Sequence, residues 1–287
     1  MKSYLRLMRV HHYIKNLLVL AALACSGKLF EPDRTGPGLL AFLAFCLISS
    51  VIYIINDIQD REKDRLHPVK CGRPIASGEI SVRNARILAA ALFGIAMILN
   101  GIVFQPLATA LLLLYLGLNL GYSFGWKNYP IVDITILVSG FLIRMVYGAL
   151  ITGIQISNWM YLTVMALSFY LALGKRRNEL RRMGGGETRE VLNAYPVSFL
   201  DRSMSMCLTL AHVFYALWSM DGTTRAAYHT DHLIFTVPIV LLITLKYSLN
   251  VERKSDGDPV EVLLHDPVLL VLTGLYLAAM ILILYVF

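Results

Sequence analysis

The sequence predicts an all-α polytopic membrane protein, a bundle of about nine transmembrane helices, and three observations predict it. Hydrophobic residues make up 57% of the 287 and charged residues only 16%, against about a quarter charged in soluble domains. Apolar runs recur at the length of about 20 residues that a helix needs to cross a bilayer. Lysine and arginine gather in alternate connections between those runs, the asymmetry that orients membrane helices.

In chain order the apolar segments are 13–30, 38–57, 85–104, 106–124, 131–153, 157–174, 204–220, 233–248 and 268–287. Several contain Gly, Pro or Tyr, which membrane helices tolerate. Segments 204–220 and 233–248 are shorter or more polar than the rest. No soluble domain and no short-period repeat is evident, and Gly184–Gly186 is the sole low-complexity tract. The expectation is one transmembrane domain over 1–287, with cytoplasmic active-site loops at about 58–84 and 175–203.

With nine spans, 22 of the 26 Lys and Arg residues fall on one side and three (Lys28, Arg34, Arg225) on the other, while Arg144 lies within a span. This predicts a multi-pass protein of the inner (plasma) membrane with its N-terminus in the cytoplasm and its C-terminus outside. The net charge of +7 is then a topology signal, and nucleic acid is not expected as a partner. Ala22-Leu23-Ala24-Cys25 loosely imitates a lipoprotein cleavage site, but cutting there would leave eight spans and disturb the charge pattern. Cys25, Cys46, Cys71 and Cys207 show no metal spacing and no paired framework. A homo-oligomer is left open.

The chemistry begins where the second segment ends, at Asn56-Asp57-x-x-Asp60-x-x-x-Asp64. On one helix this spacing sets three carboxylates on a shared face. Carboxylates so arranged repel one another and suit a hard divalent cation, Mg²⁺, which can also bridge to substrate phosphates. The alternative is a solvated helix end interleaved with Arg61, Lys63 and Arg65. Against it, Asn56 and Asp57 terminate an apolar span, where carboxylates are expensive. Lys70 and Arg73 follow in a proline-punctuated loop and suit phosphate oxygens. Arg144 reads either as a phosphate ligand or as the ion-pair partner of Asp133, eleven residues earlier with Gly140 between them. Lys15 reads either as a phosphate ligand near the interface or as a snorkelling anchor.

These motifs resemble the UbiA superfamily of intramembrane prenyltransferases, and the resemblance runs over essentially the whole chain. That superfamily has a second acidic cluster after its sixth span. This chain has Leu173-Gly174-Lys175-Arg176-Arg177-Asn178-Glu179-Leu180 instead, with Lys175 in place of one carboxylate. The stretch resembles the polyprenyl-phosphate phosphoribosyltransferase branch, decaprenyl-phosphate type. So do Tyr13-x-Lys15-Asn16, Asp57 through Gly78, Tyr122-Ser123-x-x-x-Lys127, and Asp258-Pro259-x-Glu261 through Asp266. The resemblance implies transfer of a 5-phosphoribosyl group from phosphoribosyl diphosphate (PRPP) to a polyprenyl phosphate, with release of diphosphate. Asp57, Asp60 and Asp64 are then the catalytic metal ligands. Lys15, Asn56, Lys70, Arg73, Tyr122, Lys127, Arg144, Lys175, Arg176 and Glu179 are the substrate-binding candidates. Glu179 keeps three roles: pairing with Lys175, supporting a metal, or contacting ribose hydroxyls. The alternatives are prenyl transfer from a polyprenyl diphosphate to an aromatic or other acceptor, and a transporter. The latter is weakened because charge clusters on one face rather than near the midplane.

Overall fold

The structure is a computed structural model that describes residues 2–181, 190–253 and 259–285. Among the described residues all regular structure is helical, and the chain divides into two compact units: 1–23, 30–126 and 143–154 form the first, and 24–29, 127–142 and 155–287 form the second.

The first unit opens with α1 (Lys2–Met8), an eleven-residue 3₁₀ helix over Val10–Leu20, and α2 (Ala21–Ala24). Next come α3 (Pro32–Gln59), α4 (Arg61–Leu66), a 3₁₀ turn at Lys70–Gly72, α5 (Val82–Val103) and α6 (Pro106–Ser123). Prolines open α3 and α6, where a missing N–H costs nothing. Ser81 Oγ caps α5 by accepting the Asn84 N–H at 3.2 Å. A left-handed Phe104 (φ 39°) ends α5. α3 is the axis of this unit. It packs against α5, α6, α1 and the 3₁₀ helix around Val19, Phe45, Ile48, Leu112 and Tyr147, all at most 5% exposed.

α7 (Val132–Thr152) belongs to the second unit as far as Leu142 and to the first from Ile143. In hydrocarbon, apolar contact gives helices little reason to associate, so small residues that admit close backbone approach matter more. Gly148 is such a residue: a Cβ there would stand 1.7 Å from the Val19 carbonyl oxygen. Gly148→Ala is therefore expected to cost about 1–3 kcal/mol through overpacking, read as a lower midpoint of thermal unfolding in detergent.

The second unit continues with α8 (Asn158–Arg181), a 3₁₀ turn at Glu190–Ala194, α9 (Val197–Met220) and α10 (Gly222–Tyr228). A 3₁₀ turn at His232–Thr236 leads into α11 (Val237–Arg253), followed by α12 (Pro259–His265) and α13 (Pro267–Tyr285). α8 lies along α9, with Tyr170, Leu173, Leu200 and Met204 between them. α11 and α13 pack together. They are fastened by Asp266, which takes Lys246 Nζ at 2.7 Å and the Leu269 N–H at 2.9 Å. The Lys246 hydrogen bond, more than any other cause, holds the Asp266 carboxyl down to about 2.

Each of the nine predicted segments overlaps helical residues, but 13–30 is divided between the first 3₁₀ helix and α2 and is non-helical over 25–30, and 233–248 is divided between the 3₁₀ turn and α11. Seven helices among the described residues are long and apolar enough to cross a membrane. Val10–Ala24 is apolar but shorter, and α8 carries Lys175, Arg176, Arg177, Glu179 and Arg181 in its last turns. Those turns correct the expected loop at 175–203, because the helix runs on to Arg181. Residues 182–189 of that loop lie outside the described residues.

Candidate active site

The acid motif sits where α3 gives way to α4. The sequence pattern predicts one continuous helix through Asp57, Asp60 and Asp64, and here the structure corrects it. α3 ends at Gln59, and Asp60, with φ −85° and ψ 5°, joins the two helices. The i to i−4 bonds persist through the joint, Asp60 N–H to Asn56 C=O at 2.9 Å and Asp64 N–H to Asp60 C=O at 2.8 Å. Asp57 and Asp64 are thus two turns apart and both buried, at 3% exposure.

Buried carboxylates demand cations, and two arginines supply them. Arg73 Nη1 lies 2.7 Å from Asp64 Oδ2 and 3.2 Å from Asp57 Oδ1. Arg9 Nη2 lies 2.6 Å from the same Asp57 oxygen, and its guanidinium stands 4.7 Å from the centre of the Tyr53 ring. Asn56 Oδ1 accepts from Ser123 Oγ at 3.1 Å, tying the motif to the end of α6. Among the described residues no three His, Cys, Asp or Glu side chains are gathered as a ready ligand set. Asp57 and Asp64 nevertheless point hard carboxylate oxygens at one positive charge, the donor chemistry that suits Mg²⁺.

Lys70 is exposed and lies on the 3₁₀ turn. His67 Nδ1 accepts the Val69 and Lys70 N–H groups at 3.1 and 3.3 Å, which shapes that turn. Tyr122 and Lys127 are half-buried near the end of α6. Lys15 is half-buried on the first 3₁₀ helix.

Arg144 is buried in the first unit. Its Nε donates to Asn16 Oδ1 at 2.8 Å and its Nη2 to Tyr115 OH at 2.7 Å. The guanidinium also stacks 5.0 Å from Phe45 and 4.8 Å from Tyr115, measured to the ring centres. Ser49 Oγ is 3.4 Å from Asn16 Oδ1. These groups form a polar cage inside an apolar helix cluster, an expensive arrangement in a membrane protein.

The suggested pairing of Asp133 with Arg144 is corrected. Asp133 is fully buried in the second unit and takes Arg176 Nε at 2.5 Å and Tyr195 OH at 2.6 Å. Arg176, also fully buried, gives Nη1 to Glu179 Oε2 at 2.8 Å. Glu179 thus pairs with Arg176, one turn before it. Tyr195 OH in turn accepts the Ile131 N–H at 2.5 Å, and Ile131 holds a left-handed φ of 68°, strained for a β-branched residue. Burial, with the bond to Asp133, pushes the Tyr195 phenol up to about 12. Lys175 is half-buried beside this network. Arg177 binds Asp201, and it reaches Glu252 at 2.7 Å. Asp258 and the side chain of Glu261 lie outside the described residues.

Sequence reasoning missed Arg9, Tyr115 and Tyr195, and it named Asn16 only within the motif Tyr13-x-Lys15-Asn16. Arg9 was absorbed into the basic start that sets topology. Tyr195 offers no local signal, since its partner is 62 residues away.

The model of the UbiA prenyltransferase family matches residues 17–265. The chain is 34% identical to the decaprenyl-phosphate phosphoribosyltransferase of Corynebacterium glutamicum, over 98% of this chain and 86% of that one. It is also 34% identical to the protein of the same name from Mycolicibacterium smegmatis, over 93% and 88%. Among solved structures, a UbiA homologue from Archaeoglobus fulgidus bound to GPP and Mg²⁺ superposes with a TM-score of 0.68. It has 18% identity and covers 98% of this chain and 99% of that one. The acid motif at the end of an apolar helix, the all-helical membrane fold and these matches agree, and the chain belongs to the UbiA prenyltransferase family.

Proposed function

We propose that this protein transfers the 5-phosphoribosyl group of PRPP to a polyprenyl phosphate of the decaprenyl-phosphate type and releases diphosphate. The observation that carries the reading is the near-full-length likeness to two decaprenyl-phosphate phosphoribosyltransferases. The chemistry of the residues supports it. PRPP and a lipid phosphate together bring three anionic groups, and the chain offers Arg73, Arg9, Arg144 and Lys175 at buried or half-buried positions and Lys70 at an exposed one.

Asp57 and Asp64, with Asp60 beside them on the chain, would hold Mg²⁺, as the solved Archaeoglobus relative holds Mg²⁺. Bound there, the ion offsets charge on the departing diphosphate. Arg73 and Lys70 grip diphosphate oxygens. Arg144, with Asn16 and Tyr115 orienting its fork, takes the lipid phosphate. Lys175 and Glu179 serve the sugar phosphate and the ribose hydroxyls, and Tyr122, Lys127 and Lys15 are further substrate-binding candidates. The C1–O bond to diphosphate breaks and the diphosphate leaves with the electron pair. A lipid phosphate oxygen, already anionic, closes on C1, so no general base is required. Arg176 is reassigned from substrate contact to support, because its guanidinium is fully buried between Asp133 and Glu179. The site faces the cytoplasm, with the N-terminus on the same side.

Purified protein with Mg²⁺, radiolabelled PRPP and a polyprenyl phosphate is expected to yield a labelled lipid on extraction into organic solvent, and chelator is expected to suppress it reversibly. A protein that leaves PRPP untouched but transfers a prenyl group from its diphosphate to an aromatic acceptor would overturn the phosphoribosyl reading.

A further inference from the structure

We propose that Arg9 and Arg73 are exchangeable cations of the acid site: they neutralise Asp57 and Asp64 while metal is absent, and transfer to diphosphate oxygens when a metal takes the carboxylates. The inference rests on the metal and diphosphate reading above, and it makes metal and diphosphate enter as a pair.

The geometry carries it. One nitrogen, Arg73 Nη1, bridges oxygens of both buried carboxylates at 3.2 and 2.7 Å. That bridging point is where a shared cation would stand. Mg²⁺ binds oxygens at about 2.0–2.1 Å, so a guanidinium nitrogen and the ion cannot occupy it together, and like charge drives them apart. Arg9 Nη2 crowds the same Asp57 oxygen at 2.6 Å. Two guanidiniums thus balance two buried carboxylates, and metal alone has to compete with both.

Neither arginine lies within a helix, so a new side-chain direction needs no helix to unwind. Arg73 sits just past the 3₁₀ turn at Lys70–Gly72, with its side chain 26% exposed. Arg9 sits between α1 and the first 3₁₀ helix, with its side chain 20% exposed. Its backbone is left-handed, φ 52° and ψ 48°, a costly conformation for a side-chain-bearing residue that persists only where neighbours enforce it. The neighbours here are visible. Arg6 forks onto both Glu79 oxygens at 2.7 Å, Ser50 Oγ donates to the Met8 carbonyl at 2.9 Å, and Leu7 is fully buried. This clamp aims Arg9 at Asp57. The Tyr53 ring beside it offers a second cation-binding face. A displaced guanidinium needs a new anion, and diphosphate supplies one in the geometry that arginine grips two oxygens at a time.

The test measures binding in the full-length protein with Mn²⁺ as the probe, by electron paramagnetic resonance. Inorganic diphosphate is present or absent, and free Mn²⁺ is corrected for its solution complex. In the wild type, diphosphate is expected to tighten Mn²⁺ binding. In Arg73→Ala, Mn²⁺ alone is expected to bind about ten- to a hundred-fold tighter than to the wild type, while diphosphate binding weakens and the mutual enhancement shrinks. Arg9→Gln is expected to shift both in the same directions by less, and it stands in for Arg73→Ala should that variant fail to fold. A merely structural arginine would weaken both ligands or neither, and either result overturns the exchange. If the wild type binds Mn²⁺ under neither condition, the metal reading falls and the exchange falls with it. If the wild type binds Mn²⁺ and diphosphate independently, only the exchange falls.

Discussion

Asp57→Asn and Asp64→Asn are each expected to lower turnover about a thousand-fold or more while leaving the protein folded. The replacements are isosteric, so the side chain still presents an oxygen to Arg73, which now lies 2.7 Å from Asp64 and 3.2 Å from Asp57. What disappears is one full negative charge per variant at the point where a divalent ion would be held. Metal stabilisation of a departing phosphate is worth several kcal/mol, and about 1.4 kcal/mol is a factor of ten in rate. The check is a steady-state rate measured beside a thermal midpoint: the rate collapses and the midpoint stays close to that of the wild type. Near-normal turnover in Asp64→Asn would remove Asp64 from the metal assignment.

Asp133→Ala is expected to act on stability instead. Arg176 is fully buried and divides its guanidinium between Asp133 and Glu179. Removing Asp133 leaves most of a buried charge to Glu179 alone, and it deprives Tyr195 of its acceptor. Breaking one partner of a buried pair costs about 3–5 kcal/mol. Replacing both partners by apolar side chains of similar volume, Asp133→Leu with Arg176→Met, is expected to recover part of that loss, because well-packed apolar groups often match a buried ion pair. Thermal unfolding in detergent reads both effects. A single variant as stable as the wild type would mean that the pair is dispensable to the fold.

Most of the architecture was legible because membrane helices announce themselves by length and apolarity. α5, α6, α7 and α13 lie close to their predicted bounds, and α3 begins six residues before the segment at 38–57, at Pro32. α9 begins seven residues earlier than the segment at 204–220, at Val197, and α8 runs past its apolar stretch into a charged end. Hydropathy sees the hydrocarbon and not the helix, so charged turns beyond the span were invisible to it. The acid motif was legible as a spacing, but the break at Asp60 was not, since nothing in Gln59-Asp60-Arg61 forbids helix. Pairings were the least legible. Asp133 and Arg144 share a helix and opposite charge, which made them natural partners by local reasoning. Their actual partners include Arg176, 43 residues from Asp133, and Asn16, 128 residues from Arg144. Such choices are settled by tertiary packing.

The winding of the first apolar segment has a consequence for reach. Val10–Ala24 is fifteen residues long, and as an α-helix it would rise only about 22 Å, well short of a hydrocarbon core about 30 Å thick. Eleven of those residues are wound as a 3₁₀ helix, which climbs about 2.0 Å per residue against 1.5 Å. The same fifteen residues then extend about 28 Å. The tighter coil brings a short segment almost to the thickness of the hydrocarbon core, trading poorer backbone hydrogen bonds for distance.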